Sequence, residues 1–355
     1  MKNRNVTIDV LKGITIILVV LGHVIQTIYS PDSYDENWIF KIIYSFHMPL
    51  FIFISGYLAG FKKELTVKWI GSKALRLALP FHVWIPIDYL LDGGRTFEGL
   101  VTTFQRLYKD PSDGGLWFLW VLFLCCIILF IMENINSRVL KVIFKDRNRY
   151  AGCKEIVMEL IFVMVELVFF AGIWFMTGFT TALGLRLCCK EIIFFLAGFY
   201  INKYFQVHKD REVSAEKKWR LFFYIAFPCL VIFWDRTHLV TFYEVLNRWM
   251  EANSLLKLVI LPFEAAYFYM VSFLGIGFVW NLVKHLRNEK VVSGLANIGR
   301  YTMEIYILHM YFFVHCFAYR GINAVLSLVL GMFVPFLTGK LVEKEKHLRF
   351  ILFGK

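Results

Sequence analysis

Ten stretches of about twenty mostly apolar residues dominate this chain, at about 8–29, 38–61, 74–92, 116–133, 156–177, 187–203, 219–235, 260–283, 300–319 and 321–341. An α-helix of that length crosses a hydrocarbon core of about 30 Å at 1.5 Å per residue. In hydrocarbon every backbone N–H and C=O must be satisfied within the protein, and a helix does this segment by segment. The expected fold is therefore all-α, a polytopic bundle of about ten transmembrane helices. Only 19% of the 355 residues are charged, against about 25% in soluble domains. The aromatic load (37 Phe, 17 Tyr, 10 Trp) suits lipid-facing surfaces and interfacial belts. No Gly/Ser linker, low-complexity stretch or internal repeat divides the chain. Residues 1–355 are expected to form a single transmembrane domain.

Charge in the connections sets the orientation. Residues 62–76 hold Lys62, Lys63, Lys68, Lys73 and Arg76, and 138–154, 203–220, 284–300 and the tail after 340 are also basic. The alternate connections are not: 31–37 carries Asp32, Asp35 and Glu36, the 92–115 and 235–259 loops are mixed, and Arg320 stands nearly alone. Lys and Arg favour cytoplasmic loops, which places both termini in the cytoplasm and requires an even number of spans. The net charge of +12 is accounted for by these loops facing anionic lipid or an anionic ligand. No nucleic-acid motif accompanies it, and no nucleic-acid partner is expected. The basic N-terminus before the first apolar run resembles a leader, but it lacks a small-residue cleavage site and is expected to stay as the first helix. The seven Cys, including the pairs Cys125–Cys126 and Cys188–Cys189, have neither zinc-site nor disulfide-framework spacing. They read as small buried hydrophobes, and no metal site is expected.

Two histidines lie inside the first two apolar runs, His23 and His47. Ionisable side chains inside a bilayer are costly and by default mark function. With the first helix running outward and the second inward, both imidazoles sit roughly 9–13 Å beneath the outer surface. Imidazole is a suitable base near neutral pH. Lys12 precedes His23 by eleven residues, which returns to nearly the same helix face roughly 16 Å away. Asp9, Lys12 and Arg76 cluster toward the inner ends of the first three spans. Arginine there suits a phosphate-bearing ligand, because its planar fork binds phosphate bidentately. The plainer alternatives are packing histidines with one hydrogen bond each, and basic residues that anchor helix ends. His82 and His309 are weaker candidates. Glu166, Glu191, Glu264 and Glu304 are further polar groups in apolar runs, and Glu166 either orients a histidine or ties two helices together.

Five stretches resemble the acyltransferase 3 family of integral membrane proteins, which move acyl groups, usually acetyl, onto extracytoplasmic glycans. IDVLKGITIILVVLGH is similar to the family's first helix, a basic residue followed eleven positions later by histidine. FHMPLFIFISGYLAG is similar to the second, with Pro49, Phe51, Phe53, Ser55 and Gly56 in order. ALRLALPF resembles the Arg-Leu-x-x-Pro entry to the third helix and GGLWFLWVLFL the Trp-Phe-Leu stretch of the fourth. IGRYTMEIYILHMYF resembles the late Ile-Gly-x-x-Ser-x-x-Ile-Tyr-x-x-His segment. Residues from about 135 to 290 match only in being hydrophobic. Lys12 stands where the family commonly has Arg, and Thr302 where it has Ser. With no appended esterase-like domain, the chain resembles the stand-alone type.

The resemblance implies an O-acetyltransferase of the bacterial inner or plasma membrane, with acyl-CoA as donor substrate, a cell-envelope glycan as acceptor and no tightly bound cofactor. It implies His23 as general base or acyl carrier, His47 as its positioning partner and Lys12 paired with Asp9. It implies Arg76, Lys73 and Lys12 as donor-binding residues, and Trp117, Thr302 and His309 on the substrate side. A polytopic transporter or flippase for a glycan lipid or anionic solute is the second reading, since buried Glu and His suit proton coupling, but it predicts paired halves or broken helices. A non-catalytic member of a polysaccharide assembly complex is the third. It leaves the two histidines without a purpose.

Overall fold

The computed structural model describes residues 5–28, 34–62, 64–111, 114–143, 161–162, 164–165, 168, 172, 182–207, 216–236, 239–240, 243–252, 254–311 and 324–355. It is helical almost throughout. Helix α1 (Val6–Ile28) runs unbroken through the first apolar stretch. Helix α2 (Trp38–Ala59) begins at a polar cap: Asn37 Oδ1 accepts from the backbone N–H groups of Ile39 and Phe40 at 3.0 and 3.1 Å, satisfying donors with no intrahelical partner.

The third span departs from a simple helix. Thr66 caps α3 (Val67–Lys73) by accepting from Trp69 N. The chain then passes through a π-helical turn, Ala74–Ala78, into α4 (Leu79–Leu91). Pro80 explains the turn. It has no N–H to offer the residue 76 carbonyl, and its ring crowds that carbonyl. The ladder widens, and Leu79 N reaches back five residues to Ala74 O.

Beyond it lie α5 (Phe97–Lys109), α6 (Trp117–Ile143), α7 (Leu185–Val207) and α8 (Glu216–Val231). A two-stranded antiparallel hairpin follows, β1 (Trp234–Asp235) with β2 (Leu239–Val240), Trp234 opposite Val240. The chain ends with α9 (Tyr243–Ala252), α10 (Lys257–Lys284), α11 (Glu289–Arg300), α12 (Thr302–Tyr311), α13 (Ala324–Val342) and α14 (Lys346–Phe353).

Six described segments are long and apolar enough to cross a membrane: Val6–Thr27, Trp38–Ala59, Val67–Leu91, Trp117–Val139, Val259–Lys284 and Ala324–Val342. The protein is a multi-pass, all-α membrane protein. The third span starts at residue 67 rather than 74, because Thr66 caps a turn that apolarity alone does not mark. The expected span at 187–203 falls on α7, diluted by Arg186, Lys190, Glu191 and Lys203, and that at 219–235 falls on the shorter α8. Most of 156–177, with Glu166, and the second half of 300–319 lie outside the described residues.

Contacts group the chain into two compact units, Met1–Ile54 with Lys203–Leu341, and Ser55–Asn202 with Val342–Lys355. In the first, α1 contributes Val10, Leu11, Ile16, Val19 and Val20 to the core, and α2 contributes Phe40, Ile43, Leu50 and Ile52. Ser272 on α10 donates to Ser45 O on α2 at 2.7 Å. In the second, α6 and α7 bring the Cys125 and Cys188 sulfurs to 3.7 Å. Asn202 of α7 donates to Tyr57 O of α2 at 2.6 Å. The Cys pairs are buried thiols, as their apolar neighbours in sequence suggest.

Candidate functional site

The first unit is organised by one close helix crossing. A Cβ on Gly13 of α1 would run into the Leu295 carbonyl of α11, and one on Gly299 would run into the Asp9 carbonyl. With no Cβ at either position, the two backbones can approach this closely. With α1 and α11 seated this closely, α12 continues from α11 alongside α1. It carries His309 to His23, their ring centroids 5.2 Å apart and their planes inclined by 43°.

The ring in contact with His23 is therefore that of His309, 286 residues later in the chain. His309 is fully buried and His23 half-buried. His309 Nδ1 lies 2.9 Å from the Ile305 carbonyl one turn back. His23 Nδ1 lies 2.9 Å from Gln26 Oε1. A protonated Nδ1 donating to Gln26 leaves the lone pair of the neutral His23 ring on Nε2. Gln26 thus fixes which nitrogen of His23 can accept a proton or an acyl group.

His47 is buried, with Nδ1 2.8 Å from the Ile43 carbonyl. Its ring meets Tyr44 at 4.7 Å. Tyr44 also packs against Gly22 of α1, where a Cβ would come within 2.8 Å of the ring. His47 is thus linked to the helix of His23 through Tyr44. Rings continue away from it: Tyr44 on Phe40 at 3.8 Å and Phe40 on Tyr34 at 5.0 Å. Arg236, next to β1, lies 5.4 Å above the Tyr34 ring and holds both Asp35 carboxylate oxygens at 2.7 Å. Those hydrogen bonds push the Arg236 pKa above its ordinary value.

Along α1 in the other direction lie Lys12 and Asp9. Lys12 is half-buried and Asp9 buried. The unbroken helix keeps Lys12 and His23 on one face. Thr302 opens α12 with its hydroxyl donating to Gly299 O at 2.7 Å, one turn from the close crossing. Glu304 is fully buried, against Gly339 of α13.

The remaining expected site residues belong to the second unit. Arg76 is exposed on the π turn, and Lys73 just before it lies 5.4 Å from the Trp69 ring. Gly354 sits in the left-handed region (φ 63°) directly on this turn, where a Cβ would come within 2.5 Å of Arg76 Cα and Leu75 O. Trp84 of α4 donates to Leu352 O at 2.8 Å, so α14 braces the turn. Trp117 opens α6, half-buried and in edge contact with Phe118. His82 bridges the Ala78 carbonyl at 2.6 Å and the Tyr108 hydroxyl, beside Trp120. Burial pushes the Tyr108 phenol pKa up. Glu191 is buried, and its Oε2 has no hydrogen-bond partner among the described residues. Gln26, Tyr34, Tyr44 and Arg236 were not singled out from sequence. Gln26 and Tyr44 were within reach, each three residues from its histidine on one helix face. Arg236 was not, since it meets Asp35 across 201 positions.

The described helices, their close crossing and the paired imidazoles can be set beside known proteins. A family model described as an acyltransferase domain, acyltransferase 3, matches residues 5–340. The chain belongs to the acyltransferase 3 family. It is similar to the nodulation protein NolL of Mesorhizobium japonicum, 34% identical over 142 residues, which cover 38% of this chain and 37% of that one. It is also similar to nodulation protein NolL of Sinorhizobium fredii, 35% identical over 144 residues, 38% and 39% of the two chains. The alignments thus span well under half of either relative. No solved structure matches.

Proposed function

We propose that this protein is a membrane O-acyltransferase. It takes an acyl group, acetyl above all, from acyl-CoA at the cytoplasmic face and places it on a hydroxyl of an extracytoplasmic or lipid-linked cell-envelope glycan. Its setting is the bacterial plasma or inner membrane. The observation that carries the reading is the His23–His309 ring pair, held on a face of α1 that also carries Lys12, in a chain matched by an acyltransferase domain from residue 5 to 340.

His23 Nε2 has two uses in acyl transfer. As general base it removes the acceptor hydroxyl's proton while the oxygen attacks the thioester carbonyl, and the thiol leaves. As nucleophile it forms an acyl-imidazole that the acceptor oxygen then attacks. Gln26 serves both by presenting Nε2. His309 steadies the ring from the other helix. His47 orients the acceptor side through Tyr44. Lys12, with Asp9, supplies positive charge toward the donor, and Arg76 and Lys73 on the basic inner connection meet donor phosphates. Trp117 and Thr302 are the residues this reading assigns to the acceptor substrate.

Membranes with and without the protein, incubated with labelled acetyl-CoA, test this directly. Protein-dependent label in alkali-labile ester on glycan is the expected result. Glycan-lipid or solute flux without acyl transfer would replace this reading with the transporter.

A further inference from the structure

Residues 346–355 lie beyond the stretch that the family model matches, yet they are docked on the turn that carries Arg76. Helix α14 has eight residues, and its N-cap residue, Glu345, makes no side-chain capping bond. A helix this short is marginal on its own, so contacts made outside it hold it in place. Leu352, Phe353 and Gly354 supply them. Phe353 is 1% exposed and packs against Trp84 of α4, ring centroids 6.3 Å apart. The Trp84 indole N–H donates to the Leu352 carbonyl at 2.8 Å, one of the last carbonyls of α14, which find no partner inside a helix. Gly354 ends the helix, its N–H returning to the Phe350 carbonyl at 2.8 Å.

Gly354 is also the point of contact with the turn. A Cβ there would lie 2.5 Å from Arg76 Cα and Leu75 O and 2.9 Å from Arg76 O, so only a residue without a side chain lets the two backbones meet. Its left-handed conformation, φ 63°, asks for glycine a second time. The two anchors, Arg76 and Trp84, stand eight positions apart on one helical run, roughly 12 Å at helical rise. Pro80, which widens the ladder, is midway between them. There the run lacks one backbone donor, so a brace from outside has most to add. Arg76 is exposed. Packing does not fix its side chain, and the direction of its guanidinium follows from the backbone of the turn.

We propose that residues 346–355 are a positioning strap for Arg76. Docked through Phe353 and Gly354, they hold the π turn in the geometry that presents Arg76 to a phosphate-bearing donor. The donor part rests on the function proposed above; the bracing of the turn does not.

Full-length protein in nanodiscs would be compared with a chain ending at Glu345, with Gly354→Val and with Phe353→Leu, the first two also in an Arg76→Ala background. Deuterium exchange of the amides of 74–79 and the steady-state constants for acetyl-CoA are the two readouts. Ending the chain at Glu345, or Gly354→Val, is expected to speed exchange at 74–79 about tenfold, as a local loss equal to one hydrogen bond does, with exchange in α1 unchanged. The acetyl-CoA KM rises about tenfold, as loss of a hydrogen bond to a charged group does, while kcat stays within about twofold. Phe353→Leu keeps a buried apolar side chain and a KM near that of wild type. In the Arg76→Ala background the same changes leave KM where Arg76→Ala alone puts it, because the strap has nothing left to position. If the chain ending at Glu345 also exchanges faster in α1, the fold as a whole has loosened, and Gly354→Val decides. Unchanged exchange at 74–79 in both altered chains overturns the strap. Faster exchange with an unchanged KM, or a KM effect that persists in full without Arg76, overturns the positioning of Arg76. A wild type that transfers no acetyl removes the functional reading instead, and exchange at 74–79 alone then decides whether the strap holds the turn.

Discussion

Gln26 is a small residue choice with a chemical consequence. Its amide oxygen is 2.9 Å from His23 Nδ1, and only a ring protonated there presents Nε2 as base or nucleophile. Replacing Gln26 by Ala is expected to lower kcat about tenfold, less than the 10²–10⁴ attributable to the base itself, at unchanged membrane level. Initial rates at saturating donor, normalised by immunoblot, check this, and an undiminished kcat would leave Gln26 without a role. Gly299 is a second decisive residue. Gly299→Val places a side chain into the Asp9 carbonyl. Overpacking of this kind costs about 1–3 kcal/mol, so a lower thermal midpoint in detergent is expected together with lost activity, since α12 and His309 move with α11. The histidine positions themselves were legible in sequence because an ionisable group in a twenty-residue apolar run is costly and stands out. Their pairing was not, because ring contact between positions 23 and 309 depends on a crossing set by two glycines far from either.

At the scale of elements, the turn at Arg76 follows from Pro80. Pro80→Ala restores the missing N–H and is expected to let the ladder close as α-helix, rotating Arg76 relative to α3. The result expected is a raised acetyl-CoA KM with kcat little changed; a KM equal to wild type would mean the π turn does not position Arg76. The proline was visible in the sequence, in the Arg-Leu-x-x-Pro stretch, but it reads as a helix entry and not as a widened turn, since the choice depends on where the displaced carbonyls find partners. The Asp35–Arg236 pair offers a charge-reversal test. Both side chains are partly exposed, at 27% and 38%, so the pair contributes about 1 kcal/mol or less. Its effect is on placement of the segment leading to Tyr34 and Phe40. Asp35→Arg is expected to raise KM for the acceptor, and Asp35→Arg with Arg236→Asp to recover it. A double variant no better than the single would show that the pair does not hold this segment.

Across the whole molecule, hydropathy sufficed for the class of fold because the bilayer imposes both length and backbone satisfaction on anything that crosses it. It was weaker where charged residues dilute apolarity, as on α7, whose Lys190 and Glu191 interrupt an otherwise span-like run. Loop charge adds an orientation that can be measured. Single cysteines at Lys68 and Lys290, in a background without native cysteines, should react with impermeant thiol reagents only from the cytoplasmic face, and one at Glu36 only from outside. The opposite pattern would invert the proposed direction of transfer. The direct test of the central claim uses sealed right-side-out vesicles loaded with labelled acetyl-CoA, comparing wild type with His23→Ala at equal membrane level. Wild type should deliver alkali-labile label to outer-face glycan, and the variant at least about a hundredfold less. Equal delivery by both would contradict transfer at His23.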